Sequence, residues 1–101
     1  MQRTFDTTVE KLWETLKTNI ESIDERLTEI REAFTRVEKV FKVGIIMTGE
    51  IREYSESGHV YDAEGVSGER LTEVVKYIER TGNCKITTNG NTITNISYYV
   101  D

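Results

Sequence analysis

Between Val9 and Phe41 apolar side chains recur at alternating steps of four and three: Val9, Trp13, Leu16, Ile20, Ile23, Leu27, Ile30, Phe34, Val37 and Phe41. Such spacing keeps one stripe of a helix apolar, and carried over many turns it is the pattern of a coiled coil. With Trp13, Ile20, Leu27, Phe34 and Phe41 at a and Val9, Leu16, Ile23, Ile30 and Val37 at d, no seam position is polar. The pattern predicts a long helix over 7–43. Its start is marked by Thr7-Thr8-Val9-Glu10, readable as a capping box between Thr7 and Glu10, and its end by Lys39, Lys42 and Gly44.

A helix of that length reaches about 50 Å at 1.5 Å per residue, whereas a compact domain of about 100 residues has a radius of gyration near 13 Å. An uninterrupted helix must therefore project, and its seam must be covered by another chain. The ten seam residues are accordingly expected to form an oligomer interface, as a homodimer or homotetramer. β-Branched residues dominate d while Leu27 and aromatics share a, the reverse of the parallel-dimer preference. A parallel pair would also set Arg26 at g against Arg31 at the next e, which favours an antiparallel or higher-order bundle. The competing reading folds the helix against its own domain, with Leu12, Ala33 and Val40 widening the stripe.

After Gly44 the pattern becomes β-type. Val43–Met47 and Ile51–Tyr54 read as a first strand, Ser55–Gly58 as a turn, and His59-Val60-Tyr61 as a returning strand. A helix follows with Ser67 as N-cap, Leu71, Val74, Val75 and Ile78 on one face, and Gly82 as a left-handed cap. Asn89-Gly90 then joins two strands as a hairpin, Cys84–Thr88 and Asn91–Val100. Ile93 and Ile96 fall on opposite faces of a regular strand, so the last strand needs a bulge near Thr94-Asn95 or cover on both sides. The fold class is thus α+β: a long N-terminal heptad helix followed by a small β-β-α-β-β part with a mostly antiparallel four-stranded sheet. All of 1–101 reads as one domain, 7–43 as the oligomerisation helix and 44–101 as the acidic α+β part, with no internal repeat evident.

Composition narrows function. The chain carries 13 basic and 18 acidic residues, net −5, the wrong sign for binding duplex nucleic acid through phosphate neutralisation. No apolar run is long enough for a membrane span and no apolar signal core opens the sequence, so the expected location is the cytoplasm. Residues 44–101 hold five basic and nine acidic side chains. Within them Glu53, Glu56, Asp62, Glu64 and Glu69 form an acidic run free of Lys and Arg, which suits a partner protein with a basic surface.

Catalytic signals are sparse. Cys84 and His59 are single residues of their kinds, and nothing in the sequence sets them together as a thiolate–imidazolium pair. Asp62, Glu64 and Glu69 lack the ligand spacing of a calcium loop, and Gly65–Gly68 lacks the residues of a phosphate-binding loop. No cofactor or metal is expected. The reading is a non-enzymatic, homo-oligomeric protein-interaction or regulatory module whose partners are itself and a basic protein, with no direct nucleic-acid or membrane binding. Two alternatives follow from the same features. One is a small acidic inhibitor, viral or from a mobile element, blocking the basic groove of a nucleic-acid enzyme. The other is a ligand-binding or enzymatic pocket formed between subunits.

Overall fold

The computed structural model describes residues 3–18 and 25–100. In chain order these form β1 (Arg3–Thr7), α1 (Val9–Thr18), α2 (Glu25–Phe41), β2 (Val43–Ile45), β3 (Ile51–Glu53), a 3₁₀ turn (Val60–Asp62), α3 (Gly68–Gly82), β4 (Cys84–Asn89) and β5 (Thr92–Val100). The strands make two sheets, one of order β1-β5-β4 and one of β2-β3, all pairs antiparallel.

The long projecting helix expected over 7–43 is absent. Trp13 on α1 packs edge-on against Phe34 on α2 with ring centroids 6.2 Å apart. Along one continuous helix those 21 residues would span about 32 Å, so α1 doubles back on α2. The same heptad stripe then lines an interior: Val9, Leu27, Ile30, Phe34 and Val37 are buried in the chain's own core with Leu12 and Ala33, and Trp13 and Phe41 pack half-buried against it. Leu16 lies within α1, and Ile20 and Ile23 lie outside the described residues. Val40, expected to widen the stripe, is 60% exposed. The helix start also moves by one residue. Thr7 ends β1, and Thr8 caps α1, its Oγ1 accepting the Lys11 amide at 3.1 Å.

The four-stranded sheet is likewise replaced. β1, which sequence reading missed, pairs with β5 from Arg3↔Val100 to Thr7↔Ile96, and Phe5 stacks on Tyr98 across the pair. His59-Val60-Tyr61 is no strand; it runs into the 3₁₀ turn, and the returning partner of β2 is β3. The bulge required by the last strand is present: Thr87 pairs with Asn95 and Thr88 with Ile93, leaving Thr94 as the extra residue. Ile93, Ile96 and Tyr98 are all buried as a result. At the end of α3 the left-handed residue is Asn83 (φ 50°) rather than Gly82. Gly82 instead lets the helices approach, since a Cβ there would sit 3.3 Å from that of Ala33.

α2 and α3 run antiparallel and clamp each other's ends. Arg26, at the start of α2, donates to the carbonyls of Gly82 (3.2 Å) and Asn83 (2.6 Å); Arg70, at the start of α3, donates to the carbonyl of Phe41. A guanidinium on the last carbonyls satisfies acceptors that a helix leaves open and opposes its dipole.

This reciprocity is part of a repeat. α2-β2-β3 and α3-β4-β5 are two helix–hairpin units offset by 41 residues: Glu38 and Glu79, Lys42 and Asn83 (both at positive φ), Ile45 and Ile86, and Gly49 and Gly90 (both at positive φ) correspond. In each unit the last-turn glutamate accepts a backbone N–H seven residues on: Glu38 from Ile45, and Glu79 from Ile86 at 2.8 Å. The units meet where β3 and β5 begin, through Ile51 N–H to Asn91 O and Ile93 N–H to Gly49 O, both 2.8 Å. There Glu50 and Asn91, equivalent under the same offset, touch at 3.3 Å.

Candidate functional site

A groove of about 480 Å³ opens between α1, the end of α2 and the first hairpin. Trp13, Lys17 and Glu38 line the helical side, Ile45, Ile46 and Met47 the floor, and Tyr54, Val60 and Tyr61 the opposite side. Local structure explains each wall. The T-shaped contact with Phe34 fixes Trp13. Gly44 lets the 3₁₀ turn settle onto β2, because a Cβ there would lie 2.3 Å from a methyl of Val60. The loop before that turn is tied by Ser55 Oγ, which donates to the His59 carbonyl (2.8 Å) and accepts the His59 amide (3.2 Å). Arg52 reaches over to the Tyr61 carbonyl at 3.0 Å.

Three apolar side chains at this groove face solvent, Met47 at 64%, Tyr54 at 46% and Tyr61 at 72% exposure. Glu38 is half-buried in the wall. Burial raises its carboxyl above the usual carboxylate range, and the Ile45 amide partly offsets the rise.

The acidic run begins just before Tyr54 and continues past Tyr61, on the segment that supplies one side of the groove. Glu56, Asp62 and Glu64 are exposed, and Asp62 directly follows Tyr61. Ser57 Oγ lies 3.5 Å from an Asp62 carboxylate oxygen. Glu64 is brought beside Glu53 by the backbone bond from Glu53 N–H to Glu64 O, 3.1 Å. Glu53 itself is paired with Arg70 at 2.8 Å, a cation the run's own composition did not reveal. Glu69 is exposed in the first turn of α3. Among the described residues no three of Asp, Glu, His and Cys gather as a metal-holding group.

Sequence reasoning missed Trp13, Met47, Tyr54 and Tyr61 as one surface. Their exposure depends on α1 turning back and on the 3₁₀ turn, neither of which local periodicity signals. A second cleft, about 540 Å³, lies at the start of α3 between Glu50, Ser67 and Asn91. Glu50 there is paired with Arg52 at 2.9 Å, and hydrogen bonds from Arg52 and then Asn91 hold its carboxyl below the usual range.

Cys84, half-buried on β4, has its thiol pushed up to about 11, first by burial, then by the charge of Glu79, with Arg26 acting in the opposite direction. Such a thiol is a poor nucleophile. His59 is exposed in the loop. Among the described residues no helix is long and apolar enough to cross a membrane. No family model matches the chain, and no curated protein or solved structure is significantly similar to it.

Proposed function

We propose that this chain is a non-enzymatic protein-interaction domain that docks a partner's basic surface on the face formed by the groove and the acidic loop. The observation carrying this reading is the concentration of exposed Met47, Tyr54 and Tyr61 at one groove, with exposed Glu56, Asp62 and Glu64 on the same 54–64 segment that supplies the two tyrosines. Aromatic and methionine side chains are the residues enriched where partners bury surface, and a charged rim steers encounter. The reading needs no assembly of chains through α1 and α2, since Val9, Trp13, Leu27, Ile30, Phe34, Val37 and Phe41 of the stripe already pack in or against the chain's own core.

Selection of a random peptide library on the whole protein tests it. Enriched peptides should carry Lys or Arg beside an apolar anchor, lose affinity as salt rises, and bind about tenfold more weakly when Glu56, Asp62 and Glu64 are all reversed to Lys. Enrichment of uncharged or acidic peptides, or indifference to that reversal, would refute the reading.

A further inference from the structure

Glu38 is the one carboxylate among the described residues that line the groove. Its carboxylate takes the outward amide of Ile45, while its counterpart Glu79 takes that of Ile86, so both close a strand edge. The surroundings differ. In the second unit the positions matching Ile46 and Met47 are Thr87 and Thr88, and the groove's aromatic residues come from α1 and from the 54–67 connection, outside the repeat, so only the first unit sets its glutamate among apolar and aromatic walls.

Burial of Glu38 is not compensated by a cation. Lys17 lines the same groove but is exposed, and the influences on Glu38 are burial and the Ile45 amide. A half-buried carboxylate beside Trp13, Tyr54 and Tyr61 offers a cation two interactions at once: direct charge pairing and the negative faces of rings. A hydrated metal ion would gain little from such walls. A cation on an apolar stem gains from all of them, the stem covering rings while the head reaches the carboxylate.

We propose that the groove receives an arginine or lysine side chain of the partner, its charged head against Glu38 and its stem between Trp13, Tyr54 and Tyr61. This rests on the reading of the groove face as the docking surface for a basic partner, and adds the side chain that anchors it. Charge complementarity selects this occupant over a second copy of the chain, which carries net −5.

Trp13 is the only tryptophan, so its emission reports on the groove directly. Titrating the whole protein with a short oligoarginine peptide should give a saturable change in Trp13 emission. The same peptide made with citrulline, which keeps the shape of arginine without its charge, should bind at least about tenfold more weakly. Glu38→Gln keeps an acceptor for the Ile45 amide and should weaken oligoarginine binding by about tenfold with an unchanged melting transition. Tyr61→Ala, at a largely exposed side chain, should weaken binding without unfolding the protein. Salt-sensitive binding that leaves Trp13 emission and the Glu38→Gln affinity unchanged would overturn the anchor while leaving the docking face in place. No binding of the oligoarginine peptide at all would overturn both.

Discussion

Replacing Gly44 by alanine probes the contact that shapes the groove. An ideal Cβ at residue 44 would lie 2.3 Å from Val60 Cγ2, 2.9 Å from its Cβ and 3.3 Å from Cγ1, where ordinary carbon contacts need about 3.5–4 Å. Gly44 does not require a positive φ, so alanine costs nothing through the backbone and would by itself stabilise by about 0.4–1 kcal/mol through the unfolded chain. Overpacking costs about 1–3 kcal/mol, and the steric term wins because relief requires moving a turn held at Ser55 and Arg52. A net loss of about 1–2 kcal/mol corresponds to a fall in Tm of roughly 4–16 °C for a domain of this size.

Val60→Ala removes the contacts at 2.3 and 3.3 Å but leaves the one at 2.9 Å. Alone it should cost about 1 kcal/mol for its lost methyls. Combined with Gly44→Ala it should lose about 1 kcal/mol less than the sum of the two separate losses, a favourable coupling of that size. Thermal melts of the four proteins in this cycle measure that coupling. Had 59–61 formed a strand beside the first, Cβ atoms would stand about 4.5–5.5 Å apart and alanine would fit. A Gly44→Ala protein melting at or above the parent, or a double variant that simply sums the two losses, would refute the packing of the 3₁₀ turn on β2.

Cys84 should react with a neutral alkylating agent about a hundredfold more slowly than a free thiol at pH 8, since a pKa near 11 leaves that much less thiolate; labelling at the free-thiol rate would contradict its burial. Because the folded pKa is the higher one, the associated stability is complete below the unfolded thiol's pKa and is lost as pH rises from about 9 toward 11, an effect that Cys84→Ala should remove from the alkaline limb of the stability profile. Ile30→Asp, placing a carboxylate at a fully buried position against the core, should abolish the cooperative melting transition. A folded variant of reduced molecular mass in light scattering would instead restore the seam as an interface between chains.

What the sequence made legible was local. The α3 helix, a hairpin at Asn89-Gly90, whose two-residue turn the structure moves one residue on to Gly90-Asn91 because Asn89 still pairs with Thr92, and the need for a bulge near Thr94 were readable because each is decided within a few residues: an apolar face, a turn dipeptide, a parity mismatch between Ile93 and Ile96. The heptad was equally visible, but periodicity states only which face of a helix is apolar. Whether that face meets another chain or the same chain depends on where the helix stops, and the interval between Thr18 and Glu25 contains neither proline nor glycine to announce a break.

β1 was missed for the opposite reason. Arg3–Thr7 has one apolar residue, and its pairing partner lies some 90 residues away in β5, so no local pattern encodes it. The acidic run was found, yet the charge balance within it misled, because Arg70 reaches back to Glu53 from the next helix. The groove's apolar and aromatic wall was scattered over residues 13, 47, 54 and 61, of which Trp13 read as a heptad seam position and the other three as strand residues. The repeat is nearly silent in sequence, since only a few equivalent positions, among them Glu38/Glu79, Ile45/Ile86 and Gly49/Gly90, keep the same residue.

The repeat separates two kinds of sequence in one chain. Positions that recur across the 41-residue offset answer to packing in two places at once, and a change of helix end or hairpin turn in one unit is felt by the clamp or junction of the other. The stretches without a counterpart, α1 ahead of the first unit and the 54–67 connection between the units, carry no such double obligation. Trp13 and Lys17 come from the first of these stretches and Tyr54, Val60 and Tyr61 from the second, so both outer walls of the groove belong to the chain's unrepeated parts. Side chains lining the groove can therefore change there, residue by residue, without disturbing the repeated frame that holds them.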